Sequence, residues 1–318
     1  MVQMDRTPRL FEQPRDELWG HRAHYHGPMP TPYFLEYSPK SARGGQMCLL
    51  RLVRAKFFYK PIQRLKLFNE KSKPEDKPFE NSPHVYANDT NMEELLLKKG
   101  LIDKISPPIN PNNFYHDFFL ACTSASIELG IFAAGGEYLF EHQFHTGSND
   151  IPCELEYVEQ RRGKHGWDNV PLHITRPLIP DRVFMIRKAV DRIMFLEVDR
   201  GFESTWSTDP NKKTWRVNFK QYIQLIESGY YKQHYGVTCG AAVLFVFNER
   251  VQMVRAMEEL LHQTDGKGKS YMFFKLWTDF YDRTFIPRVV NYDLINTPWE
   301  RVGHDKDNNP YSPVDLVL

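Results

Sequence analysis

The chain has 318 residues, 41% of them hydrophobic, 14% aromatic and 25% charged, with a formal net charge of +1. That is ample material for one large or two medium domains. It excludes a polycation, so any nucleic-acid surface has to be a local patch.

Residues 1–30 are rich in Pro, Arg and His and show little periodicity, so an irregular arm is expected there. His21, His24 and His26 could form a metal site, but Gly20, Gly27 and Pro28 favour a polar segment without one. Across residues 41–56, Met47, Leu49, Leu50, Leu52 and Val53 recur at three- and four-residue spacing and predict a helix, which carries Arg43, Arg51, Arg54 and Lys56. Residues 57–60 read as a short strand, 69–83 as a polar loop, 85–86 as the returning strand, and 92–99 as a helix ended by Gly100. Helix, strand, long polar loop and strand is the ground plan of a winged helix, whose helix enters the major groove while the loop forms the wing. In that reading Arg43, Arg51, Arg54, Lys56 and Lys60 touch phosphates or base edges of double-stranded DNA. The alternative is an amphipathic helix with a solvated basic face.

Pro and Asn crowd residues 106–113, which marks a linker. Beyond it, 115–132 predicts a helix, 138–145 a strand, and 146–169 a loop or insertion. Strands follow at 183–186 and 192–198, then a helix at 218–228 with Phe219, Tyr222, Ile223 and Ile226 at helical spacing. The continuously apolar run 241–247 reads as a central parallel strand and 250–262 as a helix. Residues 273–277 and 283–290 are read as a last strand and helix. The late aromatics Phe273, Phe274, Trp277, Phe280, Tyr281 and Phe285 could form a docking surface for another protein, although core packing is the commoner role of such a stripe. Cys48, Cys122, Cys153 and Cys239 are dispersed without zinc spacing and read as reduced thiols. Arg6, Arg9, Glu12 and Arg15 interrupt any secretory leader, and no apolar run is long enough for a bilayer. A cytoplasmic protein without membrane partners is therefore expected.

Asp181 stands at the start of one strand and Glu197 near the end of the next. A tight pairing of the two strands would bring the carboxylates together, as magnesium or manganese requires of its oxygen ligands. Such a cation would activate water and stabilise a leaving oxygen, and Lys220 is the expected neutraliser of charge on phosphorus. The alternative is that these carboxylates cap turns or pair with Arg182, Arg187 or Arg192.

The stretches LIPDRVFMI and MFLEVDRGFES and the helix beginning FKQYIQLI resemble the replication-relaxation family of bacterial plasmids and mobile elements. The shared features are Pro180 with Asp181, then Glu197, Asp199 and Gly201, then Lys220 with Tyr222. RGGQMCLLRLVRAKF, a segment ending HVY and a helix ending KKG extend the likeness to residues 30–262, and His116 matches a histidine opening the family's second domain. The resemblance implies an α/β fold with an N-terminal winged helix at 31–105. A restriction-endonuclease-like PD-(D/E)xK domain with a mixed central sheet follows at 114–318. It implies Mg2+ or Mn2+ on Asp181 and Glu197, assisted by Glu128, with Lys220 catalytic and Asp199, Tyr222 and His116 accessory. One departure stands out: Asp199 occupies the position of the usual lysine. The implied function is a DNA-binding protein of a plasmid, phage or other mobile element, acting in replication or mobilisation as a metal-dependent endonuclease or nickase. Its implied partners are double-stranded DNA, a second copy and replication or mobilisation proteins. The alternative is a non-catalytic replication or transcription regulator that keeps a degenerate nuclease fold as an interaction platform.

Overall fold

The first surprise lies in the supposed arm. Pro14 suits the first turn of a helix, Asp16 and Glu17 complement its positive end, and Gly27 closes it in a conformation (φ 102°) that side chains avoid. In a computed structural model these residues form helix α1 (Pro14–His26), with Trp19 and Ala23 buried one turn apart. The many polar residues masked that two-point apolar stripe. The structure describes residues 13–38, 41–61, 84–148, 150–163, 166–199, 204, 207, 212–277 and 289–316, without the side chains of 42 and 159–168.

Two compact units emerge, residues 1–130 with 279–294, and 131–278 with 295–318. In the first, α1 is followed by β1 (Met29–Pro30), α2 (Thr31–Tyr37), α3 (Ala42–Arg54), β2 (Phe58–Tyr59), β3 (Val85–Asn88), α4 (Thr90–Lys98) and α5 (Phe114–Ala133). Antiparallel pairing gives a small sheet in the order β1-β3-β2. Ser41 caps α3 by accepting the Gly44 N–H, and Asp89 caps α4 by accepting the Thr90 N–H. α2 packs directly on α3 at Gly45, where an added Cβ would fall 1.9 Å from Leu35 Cδ2. The linker at 106–113 is irregular, as expected, yet α5 up to Gly130 packs with the first unit rather than the second. The polar segment at 69–83 lies outside the described residues, as do Phe280, Tyr281, Phe285 and nearly all of the helix expected at 283–290.

The second unit holds β4 (Glu137–Phe140), β5 (Leu155–Gly163), β6 (Gly166–Ile174), β7 (Arg182–Arg187), β8 (Arg192–Asp199), α6 (Trp215–Glu227), α7 (Tyr230–Tyr235), β9 (Gly240–Phe247), α8 (Arg250–Gln263) and β10 (Met272–Leu276). Residues 155–169, expected within a loop or insertion at 146–169, belong instead to a two-stranded antiparallel hairpin of β5 and β6. Leu155, Tyr157, Val170, Leu172 and Ile174 alternate with exposed Glu156, Val158, Asn169, Pro171 and His173, but the polar run EQRRGKHGWD between them interrupts that period in the sequence. The main sheet is mixed, in the order β10-β9-β8-β7-β4, with β8, β9 and β10 parallel and β4, β7 and β8 antiparallel. Val183, Met185, Ile193, Phe195, Val243, Phe245 and Phe274 share a core cluster with Trp215, Phe219, Tyr222 and Leu225 of α6 and with Met253, Ala256 and Leu260 of α8. The alternate residues Phe184, Met194, Leu196, Leu244 and Val246 are buried too, which explains the unbroken apolar reading of these strands. Among the described residues, no helix is long and apolar enough to cross a membrane.

Candidate active site

Asp181 sits one residue before β7, and the β7–β8 register, Arg182 with Leu196 and Val183 with Phe195, sets it opposite Glu197. Side chains alternate along strands, so Asp181 and Glu197 share the face that Val183 and Phe195 bury under α6. Asp181 Oδ2 accepts the Val198 N–H at 2.8 Å, which fixes the carboxylate where the ladder ends. Glu197 is only 1% exposed, and a carboxylate so deep in the protein needs partners for both oxygens. They come from α6 and the residue before its cap: Tyr222 donates its hydroxyl to Oε1 at 2.6 Å, and Lys213 donates to Oε2 at 2.9 Å. The same Lys213 ammonium stands 3.9 Å from Asp181 Oδ1. Two facing carboxylates thus converge on one cationic group.

Lys213 was not among the residues picked from sequence. Thr214 caps α6 by accepting the Val217 N–H, and this cap fixes the start of the helix with Lys213 immediately before it. Lys220, the expected lysine, points elsewhere, with its Nζ 4.4 Å from the centre of the Tyr157 ring. Tyr222 joins the site as a hydrogen-bond donor. Burial, then the charge and hydrogen bond of Glu197, push its hydroxyl well above the ordinary tyrosine range, so it keeps its proton. Asp199, two residues beyond Glu197 on the same strand face, is 2% exposed. Gly201 of the motif lies outside the described residues. Of the arginines weighed as alternative partners, Arg187 pairs with Glu137 and Asp191.

Glu128 and His116 belong to the other unit. Glu128 is fully buried on α5, where Arg22 reaches Oε1 at 2.9 Å, His26 reaches Oε2 at 2.7 Å and Tyr37 donates to Oε2 at 2.5 Å. His26 in turn meets Ser124 Oγ at 2.8 Å. His24 and His26 are thus helix-packing groups, and His24 pairs with Glu93 of α4 at 2.7 Å. His116 lies 3.6 Å from Asp117 in the first turn of α5.

Within the first unit, α3 buries Leu49 and Leu52 and turns Arg43, Gln46, Met47 and Arg54 to solvent. Positions 43, 47, 50 and 54 recur on one side of a helix. Arg51 has a second role: it reaches buried Asp16 of α1 at 2.9 Å and ties the two helices. Lys56 is exposed just beyond α3, and Lys60 lies 5.4 Å from the centre of the Tyr86 ring.

The donor set suits a hard divalent cation, which needs only one or two carboxylates when waters and substrate phosphate complete its shell. Among the described residues there is no cluster of three or more His, Cys, Asp or Glu side chains able to hold a metal, so a cage made wholly of such groups is not formed there.

Residues 141–240 match the family model described as replication-relaxation. The matched stretch contains Asp181, Glu197, Lys213 and Tyr222 and covers under half of the chain. No curated protein matches the chain, and no solved structure does.

Proposed function

We propose that this chain is a DNA-binding protein of plasmid or mobile-element replication or mobilisation whose second unit hydrolyses phosphodiesters at Asp181, Glu197 and Lys213 with a divalent cation. The carrying observation is the convergence of Asp181 and Glu197 on one ammonium group, from facing positions on adjacent strands. The likeness of residues 141–240 to the replication-relaxation family supports the biological setting. The mixed α/β sheet with its carboxylate pair supports the PD-(D/E)xK reading of that unit.

A magnesium or manganese ion bound there would supply an activated water and offset charge on the leaving oxygen. Asp181 and Glu197 are the residues that would hold it. Tyr222 keeps Glu197 in one orientation, because its hydroxyl stays protonated and can only donate to that carboxylate. Lys213, 38% exposed at its side chain, has room to move from the carboxylates to a phosphate oxygen and neutralise it. It does for this sheet what a lysine at position 199 would do.

The first unit supports DNA docking. Its order, helix, strand, two helices and two strands, with the first strand in the sheet, supports the winged-helix reading. Arg43, Gln46 and Arg54 on the open side of α3 are suited to phosphates and base edges.

A plasmid-nicking assay tests the reading. Full-length chain with Mg2+ or Mn2+ is expected to relax supercoiled DNA, and Asp181→Asn or Glu197→Gln is expected to abolish it. Undiminished nicking by both variants would remove the site. DNA binding without cleavage under either metal would favour the second reading, a non-catalytic regulator. One observation favours that reading: both oxygens of Glu197 already have donors.

A further inference from the structure

Two histidines outside the carboxylate site converge on a single atom. His145 follows the short 3-10 turn after β4, and His234 lies on α7. The Nε2 of His145 is 3.2 Å from the Ser148 carbonyl oxygen, and the Nε2 of His234 is 3.1 Å from that same oxygen. Their ring centres are 5.0 Å apart. Tyr235, buried beneath them, contacts both rings edge-on at 4.8 and 4.7 Å and limits their rotation.

These spacings have a meaning. Imidazole nitrogens bind zinc at about 2.0–2.1 Å and oxygens at about 2.0–2.2 Å, so two ligands subtending 90–109° at one ion stand roughly 2.8–3.5 Å apart. Both nitrogen-to-oxygen distances here fall in that range. The space beside His145 is kept by Gly147, where an added Cβ would lie 2.7 Å from Cε1 and 2.8 Å from Nε2 of the ring. Any larger residue at 147 would crowd the nitrogen that has to face the ion.

We infer that His145, His234 and the Ser148 carbonyl form a binding site for a zinc-class transition-metal cation that clips the loop after β4 to α7. Neutral imidazole is the ligating form. On metal uptake each Nε2 gives up its proton to Nδ1 of the same ring through solvent, and its lone pair turns to the ion. No net proton is released. Water completes the shell, since imidazole-rich sites of this class tolerate open positions. The site is independent of the carboxylate pair and of its proposed chemistry.

Zinc chloride is titrated into the chelator-treated full chain and followed by calorimetry and by histidine imidazole NMR. One zinc per chain is expected at the histidines in the variant carrying both Asp181→Asn and Glu197→Gln, with the Nε2 resonances of His145 and His234 shifted there and in the wild-type chain. Binding is expected to weaken roughly tenfold or more in His145→Gln and in His234→Gln, judged against ligand-environment losses of that order. The variant carrying both Asp181→Asn and Glu197→Gln is expected to retain it, which separates this site from the proposed nuclease centre. Thermal unfolding of each variant without zinc checks folding, and zinc is expected to raise the midpoint of the wild-type chain and of the double carboxylate variant but not of the histidine variants. Equal zinc binding by either histidine variant, or no zinc-dependent shift of the two rings in the wild-type chain, would overturn the assignment.

Discussion

Lys213 and Lys220 lie two helical turns apart in sequence yet do different things. Lys213 bridges Asp181 and Glu197, while Lys220 covers the Tyr157 ring. If Lys213 neutralises the phosphate, Lys213→Ala should lower nicking by about 100-fold or more, the effect of losing one charge-stabilising donor. Lys220→Ala should leave it near the wild-type rate. Steady-state nicking kinetics on both variants separates the assignments. Tyr222→Phe removes the donor to a buried carboxylate oxygen and should cost about 1.5–3 kcal/mol in urea unfolding. Glu93 belongs to the same scale. Burial pushes its carboxyl up, but hydrogen bonds from His24, the Ser106 N–H and Asn88 more than offset this and hold it below the ordinary value of 4.5. Its folded value is thus below its unfolded one. The stabilisation is complete above the unfolded value and fades as pH falls through the folded one. Glu93→Gln should flatten the loss of stability below about pH 4.5, measured by unfolding at a series of pH values. Sequence alone made Asp181 and Glu197 legible because both flank strongly apolar strands. Lys213 stayed hidden because the sequence before it, GFESTWSTDPNK, carries no apolar period, and only the Thr214 cap and Trp215 mark where the helix begins.

At the scale of elements, α3 divides its arginines between two jobs. Arg43 and Arg54 face solvent, whereas Arg51 holds Asp16. If the open side meets DNA phosphates, Arg43→Ala and Arg54→Ala should each reduce the slope of log affinity against log salt by about 1. Arg51→Ala should act mainly through stability, lowering it by about 1 kcal/mol as Asp16 loses a donor. Fluorescence anisotropy across a salt series, paired with thermal melts, distinguishes the two. α3 and α8 were legible from their apolar period, and α5 and the strands β7, β8 and β9 from their dense apolar runs. α1 and the β5–β6 hairpin were not. In α1 the buried groups include Asp16 and His26, which mimic a surface. In the hairpin, the polar run EQRRGKHGWD interrupts the alternation of Leu155, Tyr157, Val170, Leu172 and Ile174. Glu128 shows the same effect from the other direction: a carboxylate expected at a metal site instead ties α1 and α2 to α5.

For the whole molecule, the order of segments carried more than any single motif. A basic helix with short strands, a linker, and then a sheet with two facing acids set out the two units, but the linker did not mark their division. α5 packs with the first unit up to Gly130 because Ser124 and Glu128 bind His26 and Tyr37 there, contacts distant in sequence that no local pattern reveals. The central claim is that Asp181 and Glu197 hold one catalytic cation. Mn2+ titrated into the full chain with duplex DNA, and followed by electron paramagnetic resonance, measures this directly. Tight binding is expected in the wild-type chain and in Lys220→Ala, with loss in Asp181→Asn and in Glu197→Gln. Manganese binding unchanged in both carboxylate variants would contradict the account.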